Sequence, residues 1–189
     1  MSYSIPKSSN NFLIVSKDDF RDWKTINDTI MGGKSQATCK VTSDGLLLKG
    51  EIVEEGGGFI SSRSPLFTPS LNLSSFQGIK LEIDGGGRTL KFGISFNATF
   101  GMSRLVSGAL KWVMTFPTND KGFSSVNIPF NSLEPTVRAK RVFFPVRFDS
   151  SCINQFQILY SKFGQPGELN SEFKPGPISI AIRSINAYI

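Results

Sequence analysis

The sequence predicts an all-β protein built as a two-sheet antiparallel sandwich of the jelly-roll type. Three observations support this fold class. Apolar and polar residues alternate with a period of two, turns rich in glycine and polar residues separate the alternating segments, and helix signals are few. A strand with one apolar face needs a second layer to cover that face, and two packed sheets provide it.

Alternating segments recur at short intervals along the chain. The glycine-rich turn at 84–88 predicts a hairpin between the strands at 79–83 and 90–96. Near the C-terminus the alternation changes phase, which predicts a β-bulge around Arg183 and Ser184. Strands are expected at 12–15, 37–42, 46–53, 59–63, 79–83, 90–96, 110–116, 126–130, 142–148 and 178–189.

Helical and irregular segments are short by comparison. We expect one or two short helices, at 18–23 and at 131–134, and a long irregular loop at 162–177. No low-complexity linker divides the chain, and 189 residues suit one well-packed core. The sequence therefore predicts a single β-sandwich domain over residues 1–189.

Composition limits where the protein acts. No apolar run approaches the ~20 residues of a membrane-spanning helix. The N-terminal residues lack the basic start and apolar stretch of a secretory signal. We therefore expect a bacterial protein that does not span a membrane and that lies in the cytoplasm or at the periphery of a membrane.

The absence of histidine narrows the chemistry. It excludes Ser-His-Asp and Cys-His catalysis and removes the commonest metal ligand. Cys39 and Cys152 are far apart and show no zinc-site spacing, so free thiols are expected. These observations predict no catalytic residues, no metal site and no cofactor.

The net charge of +6 favours acidic partners but indicates nothing about the fold. Four basic residues cluster near the predicted strand at 142–148. A solvated sheet face explains them better than a nucleic-acid site, so no nucleic-acid partner is expected. The cluster consists of Arg138, Lys140, Arg141 and Arg147.

A polar, glycine-rich segment at 27–35 is the first candidate for function. Its paired glycines permit positive φ angles, and Asn27 and Asp28 can bind neighbouring backbone or present oxygens outward. Two interpretations remain open. Asp28 caps backbone amides in a structural turn, or the segment is a shaped binding loop.

The second such segment runs from Glu54 to Arg63 and contains three consecutive glycines. Arg63 has two interpretations, an ion pair with Asp28 or an exposed guanidinium that recognises a planar or anionic group. Neither segment matches a phosphate-binding loop, which disfavours nucleotide binding. A hydrolase that uses paired carboxylates remains a weak alternative, with Asp28, Glu51, Glu54 or Glu55 as candidates.

In order and spacing, the two segments together resemble the complex I intermediate-associated protein 30 family. The similarity continues through 73–79, 128–130 and 185–188, and through a glycine-rich turn that ends at Arg88. That turn is Gly-Gly-Gly-Arg here, whereas the family usually has Gly-Asp-Gly-Arg. The matching residues of the two segments are Trp23, Asn27, Asp28, Met31, Gly32, Gly33, Ser35, Gly57, Gly58, Phe59, Ser61 and Arg63.

The resemblance implies a galactose-binding-like jelly roll and a non-catalytic role. It implies an assembly factor or chaperone-like protein whose partner is a subunit or intermediate of a respiratory or photosynthetic membrane complex. The matching residues and Arg88 are then a candidate recognition surface or its structural brace. The alternative is a carbohydrate-binding module of the same fold, in which Trp23, Phe59 and Trp112 supply a stacking platform.

Overall fold

The computed structural model describes residues 11–96, 110–137, 140–142, 145–164 and 168–189. They form two antiparallel sheets, which confirms the predicted fold class. Three short 3₁₀ helices accompany them, at Lys17–Phe20, Asp28–Met31 and Phe130–Ser132. The strands are β1 (Asn11–Ser16), β2 (Lys24–Asn27), β3 (Gln36–Thr42), β4 (Gly45–Ile52), β5 (Phe59–Arg63), β6 (Gly78–Asp84), β7 (Leu90–Phe96), β8 (Leu110–Phe116), β9 (Ser124–Pro129), β10 (Glu134–Val137), β11 (Lys140–Arg141), β12 (Ile153–Ser161) and β13 (Gly176–Tyr188).

The six-stranded sheet has the order β3-β4-β13-β6-β9, and β1 also pairs with β13. The long strand β13 joins this sheet together, because its first half pairs with β4 and its last residues pair with β1. Its register against β6 shifts between Ile182 and Ser184, which confirms the predicted bulge. The bulge keeps Ile185 and Ala187 buried after the change of phase.

The seven-stranded sheet has the order β11-β10-β8-β7-β12-β5-β2. The predicted hairpin between β6 and β7 is wrong. Strand β6 pairs with β9 and β13, whereas β7 pairs with β8 and β12 in the other sheet. The turn between β6 and β7 therefore carries the chain across the sandwich. Alternation fixes which face of a strand is apolar, but it does not fix the neighbouring strand.

The core lies between the inner faces of the two sheets. On β7, Leu90, Phe92 and Ile94 are fully buried, and the same alternation is present on the strands around it. Burial of this continuous apolar layer is the main stabilising term of the fold. Fully buried residues that pack in this layer include Leu48, Ile60, Ile79, Leu81, Ile83, Phe156, Ile158, Tyr160, Ile180 and Ile182.

The expected strand at 142–148 and the two expected helices differ from the observed structure. The strand expected at 142–148 is wrong in its described part, since Val142 and 145–148 are irregular and the preceding strand β11 ends at Arg141. Its remaining residues, Phe143 and Phe144, lie outside the described residues. The expected helices at 18–23 and 131–134 are single 3₁₀ turns. No helix in the described parts of the chain is long and apolar enough to cross a membrane.

Candidate functional site

The two glycine-rich segments lie side by side because each passes between the sheets. The 3₁₀ helix Asp28–Met31 and the residues after it lead from β2 to β3, from the seven-stranded sheet to the six-stranded one. Residues 53–58 lead from β4 to β5, in the opposite direction. Two crossings of the sandwich therefore meet at one place, and the side chain of Asp28 lies between them.

Asp28 is fully buried and its carboxylate accepts four hydrogen bonds. Oδ1 accepts the amide of Ser35 at 2.8 Å. Oδ2 accepts the Ser35 hydroxyl at 2.6 Å, the Gly58 amide at 2.6 Å and the Phe59 amide at 3.2 Å. One carboxylate thus holds backbone from both crossings. The interpretation in which Asp28 caps backbone amides agrees with this geometry.

The hydrogen bonds also decide the protonation state of Asp28. Burial alone raises the pKa of this carboxyl, but the bonds from Ser35, Gly58 and Phe59 act in the opposite direction and together exceed it. The pKa of Asp28 therefore lies below its ordinary value. Because a buried carboxylate whose acceptor sites are filled by backbone donors offers no access to a substrate, Asp28 is a structural anion rather than a proton donor or acceptor.

Two of the glycines are required by the close approach of backbone to this carboxylate. A β-carbon at Gly33 would lie 2.3 Å from Asp28 Cγ, and one at Gly57 would lie 2.3 Å from Asp28 Oδ2. Gly32 has a different reason, since its φ of +88° ends the 3₁₀ helix and no atom lies within 4 Å of its ideal β-carbon. The Met-Gly-Gly and Gly-Gly-Phe pieces of the sequence therefore enclose one carboxylate.

We call the hydrogen-bond network around Asp28 the brace. Ser35 and Asn27 extend it to the neighbouring strands. The Ser35 hydroxyl, besides donating to Asp28, accepts the Val53 amide at 2.9 Å. The Asn27 amide group donates to the Ala37 carbonyl at 3.2 Å, so it links β2 to β3 across the sandwich. The polar residues of the first segment thus bind its own backbone and that of its neighbours.

The proposed ion pair between Asp28 and Arg63 is wrong. Arg63 lies four residues after Phe59 on β5, which is about 13 Å along an extended strand. The ion pairs among the described residues join Arg21 with Asp18, Lys34 with Glu55, and Arg141 with Glu134. Asp28 and Arg63 do not form an ion pair because β5 places the guanidinium away from the two crossings.

The remaining members of the pattern lie in separate surroundings. Trp23 is buried in the core against Phe20. The buried Ser61 hydroxyl donates to the Ile26 carbonyl at 3.2 Å. Arg88 donates to the Pro177 carbonyl at 2.9 Å and lies 5.5 Å from the ring centroid of Tyr160. Arg88 therefore links β13 to β12 between the two sheets, and these three residues do not share one surface.

The stacking platform suggested for a sugar is not present as predicted. Trp23 and Trp112 each expose only 6% of their surface, since Trp23 packs against Phe20 and Trp112 points inward from β8. Trp112 packs edge-on against Phe148, with ring centroids 5.4 Å apart. Of the three aromatic residues, only Phe59 is partly exposed. A ring that stacks on a sugar needs a free face, which the two tryptophans lack.

Comparison with known proteins identifies the family. The family model for complex I intermediate-associated protein 30 (CIA30) matches residues 12–182, which is most of the chain. The chain belongs to this family. In this chain, Gly33, Ser35, Gly57, Gly58 and Phe59 lie around the buried carboxylate of Asp28. No curated relative matches the chain by sequence.

Solved structures confirm the sandwich architecture. A family 11 carbohydrate-binding module from Clostridium thermocellum, in complex with a β-1,3-1,4-mixed-linked tetrasaccharide, matches with a TM-score of 0.64 and 14% identity over 96% of this chain and 97% of that one. The family 11 module of the cellulosomal cellulase Lic26A-Cel5E from the same organism gives 0.62 and 15%, with 96% of each chain covered. The agarase AgWH50C gives 0.56 and 7%, over 96% of this chain and 25% of that one. At these identities the likeness shows the fold alone.

An apolar surface next to the brace was missed by sequence reasoning, apart from Met31. Among the described large apolar side chains, the three most exposed are Met31 at 74%, Leu169 at 73% and Ile30 at 71%. Phe163 is also exposed and pairs with Leu169 in an isolated bridge. The available signal was the presence of apolar residues inside segments otherwise made of turn formers. We call Ile30, Met31, Phe163 and Leu169 the apolar rim.

The loops that carry the apolar rim are joined to one another. The Lys162 amide donates to the Gly58 carbonyl at 2.8 Å, and the Lys162 side chain lies against Gly58. Gly58 in turn donates to Asp28, whose helix carries Ile30 and Met31. The apolar rim therefore stands on three loops that are hydrogen-bonded through Asp28 and Gly58. In the described part of the chain, no group of three or more His, Cys, Asp or Glu residues could hold a metal ion.

Proposed function

We propose that this protein is a non-catalytic assembly factor, a chaperone-like binding protein for a subunit or intermediate of a respiratory or photosynthetic membrane protein complex. Its partner is a protein, and the apolar rim makes the contact. The exposure of Ile30, Met31 and Leu169 on braced loops is the observation that carries this proposal. Membership of the CIA30 family, whose name describes association with complex I intermediates, supports it.

The brace and the contact surface have separate tasks in this proposal. Asp28, Ser35 and the glycines hold the loops, while Ile30 and Met31 on the same 3₁₀ helix face solvent. Because hydrogen bonds already fix the loop backbone, a partner orders little more than side chains when it binds. A preorganised apolar contact of this kind suits the centre of a protein interface.

Polar groups border the apolar rim. Lys34 and Glu55 form an exposed ion pair at 3.1 Å between the two crossings. The Lys162 ammonium donates to the Glu54 carbonyl at 3.1 Å. An apolar centre with a charged border is the usual anatomy of a specific protein interface. The border also favours a partner with polar groups around its own apolar patch.

Site-specific crosslinking in the protein's own cells tests the proposal. A photoreactive amino acid replaces Met31 in one variant and Leu66 in the control, since Leu66 is also exposed but lies away from the three loops. We expect position 31 to capture a subunit of a membrane complex and position 66 to capture none. Introducing Ile30→Ser should abolish that capture. The same products from both positions, or capture that survives Ile30→Ser, would contradict the proposal.

A carbohydrate assay separates this function from its alternative. The probe is soluble β-1,3-1,4-mixed-linked glucan in affinity electrophoresis of the full chain, because a module of the same fold was solved with a fragment of that polymer. We expect no retardation of the wild-type protein. Retardation that Ile30→Ser and Met31→Ser leave unchanged, together with the absence of a crosslinked protein, would replace the assembly function by carbohydrate binding.

A further inference from the structure

Buried polar side chains lie on the outer face of the seven-stranded sheet, and we call this region the recess. Lys91 on β7 alternates with the core residues Leu90 and Phe92, so it points away from the core, yet it is only 8% exposed. Ser61 on β5 and Gln157 on β12 point to the same outer face and are likewise buried. Polar side chains on the face that does not pack against the other sheet are thus largely shielded from water.

Two cationic side chains converge in this recess. Arg63 is directly opposite Gln157 in the pairing of β5 with β12. The Lys111 ammonium, from β8, donates to Gln157 Oε1. None of the ion pairs among the described residues includes Arg63, Lys91 or Lys111. Glu134 on the adjacent β10 is already paired with an exposed arginine, Arg141.

The positive charges in the recess have no ion-pair partner among the described residues. Burial, with the positive charge of Arg63 acting in the same direction, lowers the pKa of Lys111 to about 7. Among the described residues, the buried Nε of Arg63 has no hydrogen-bond partner. An unpaired buried donor and two neighbouring like charges are both unfavourable in a folded protein. An anion placed between Arg63 and Lys111 would remove both penalties.

Gly93 adds no side chain to the recess. It lies between Gln157 on β12 and Val113 on β8 in the sheet. A β-carbon there would make ordinary contacts of 3.7 Å with the side chains of those two residues. Gly93 is also absent from the glycines with positive φ. Neither a close contact among the described residues nor a left-handed backbone requires glycine at this position, so a larger residue there would add bulk beside Gln157.

We propose that Arg63, Lys111 and Gln157, with Gly93 directly opposite Gln157, bind the phosphate group of a phosphate monoester. These three residues still offer donors: the guanidinium, the ammonium and the Gln157 amide nitrogen. A phosphate monoester has three acceptor oxygens and two negative charges for them, whereas a carboxylate has two oxygens and one charge. Lys91 adds a further positive charge to the recess. This site is independent of the apolar rim and of the proposed assembly function.

Titration calorimetry of the full chain with glycerol 3-phosphate tests the site. We expect binding by the wild-type protein and at least a tenfold weaker affinity in Lys111→Gln and Gly93→Val. The first variant removes a charge, and the second fills the recess without changing charge. Lys49→Gln, which removes an exposed lysine from the other sheet, is the matched control and should bind as the wild type does.

Several results would overturn the proposal. They are the absence of heat at millimolar ligand, an equal loss of affinity in Lys49→Gln, or full affinity in Lys111→Gln and Gly93→Val. Circular dichroism checks that each variant is folded. If Gly93→Val does not fold, Lys111→Gln decides alone, because it replaces the charge and keeps an uncharged polar side chain.

A second arm identifies the source of the phosphate. Vesicles of phosphatidylcholine with phosphatidic acid present a monoester on a membrane, and vesicles of phosphatidylcholine alone are the blank. Binding to the first vesicles that is lost in Lys111→Gln supports the site with a lipid headgroup as ligand. Binding of glycerol 3-phosphate without vesicle binding supports it with a soluble ligand. Vesicle binding that Lys49→Gln weakens as much as Lys111→Gln does would indicate general charge attraction and contradict the site.

Discussion

The side chain of Asp28 occupies the space that any residue other than glycine would need at position 57. A β-carbon at Gly57 would lie 2.3 Å from Asp28 Oδ2, which is well inside contact distance. The same carboxylate oxygen accepts the next two amides, those of Gly58 and Phe59. The backbone at the end of the second crossing thus binds a carboxylate that belongs to the first crossing.

Replacing Asp28 by Asn should destabilise the protein by about 2–4 kcal/mol, because a donor group replaces an acceptor that is surrounded by buried N–H groups. Urea unfolding followed by tryptophan fluorescence measures the change. Asp18→Asn is the matched control, since Asp18 is exposed and only pairs with Arg21. The control should change stability by less than about 0.5 kcal/mol. Equal stability of the two variants would remove Asp28 from its structural role.

The neighbouring glycines should differ in their tolerance of alanine. Gly57→Ala places a methyl group against the Asp28 carboxylate and should cost about 3 kcal/mol. Gly32→Ala meets no neighbouring atom, and its only cost is the left-handed backbone, about 1 kcal/mol. Thermal unfolding of the two variants tests this order. The reverse order would mean that backbone conformation, and not contact with Asp28, selects glycine in this region.

Acid should remove the contribution of Asp28. Its pKa is lowered in the folded protein, so its stabilisation is fully present above the unfolded value of about 3.9 and is lost as the pH falls through the folded pKa. The difference in unfolding free energy between the wild type and Asp28→Asn should therefore shrink below about pH 4. A difference that stays constant from pH 7 to pH 3 would contradict this assignment.

Ser35 and Asp28 should be energetically coupled. Ser35→Ala removes the 2.6 Å bond to the carboxylate and leaves the Val53 amide without its acceptor, at a cost of about 1–2 kcal/mol. A double-mutant cycle with Asp28→Asn should give a coupling energy above about 0.5 kcal/mol. Simple additivity of the two changes would show that the hydroxyl stabilises the protein through Val53 alone.

The apolar rim should be dispensable for folding. Ile30→Ser and Met31→Ser change side chains that lie mostly in solvent, so each should alter stability by less than about 0.5 kcal/mol. Chemical denaturation of the same variants used for partner capture provides the measurement. A large loss of stability would place these side chains in the brace and would weaken the proposed division between brace and contact surface.

Much of the fold follows from the alternation of side chains, but the pairing of strands does not. Strands β5, β7 and β8 have the predicted extents, and the bulge at Ser184 was visible as a change of phase. The hairpin between β6 and β7 was wrong because a glycine-rich turn connects strands within one sheet or between two sheets equally well. Residue types alone carry no information about which of these occurs.

The candidate site shows the same limit. For the residues around Asp28, a structural turn in which the carboxylate caps backbone amides was one of two interpretations, and the geometry agrees with it. Their common centre was not predicted, because it depends on how two crossings lie side by side. Arg63 is an example of what the sequence could not show. Its charge suggested a pair with Asp28, whereas β5 places it on the outer face beside Gln157. The apolar rim was likewise hidden, since exposure depends on the final packing.

The enclosure of Asp28 by Gly33 and Gly57 constrains how the sequence can evolve. A larger residue at either glycine collides with the carboxylate, and loss of the carboxylate leaves three amides without an acceptor. Single substitutions of Asp28, Gly33 or Gly57 are therefore penalised, whereas the exposed Ile30 on the same 3₁₀ helix has no such restraint. Position 30 can therefore change in a lineage while these three residues stay the same. Retention of the three residues in a homologue reports the fold, and it carries no information about the surface that position 30 presents.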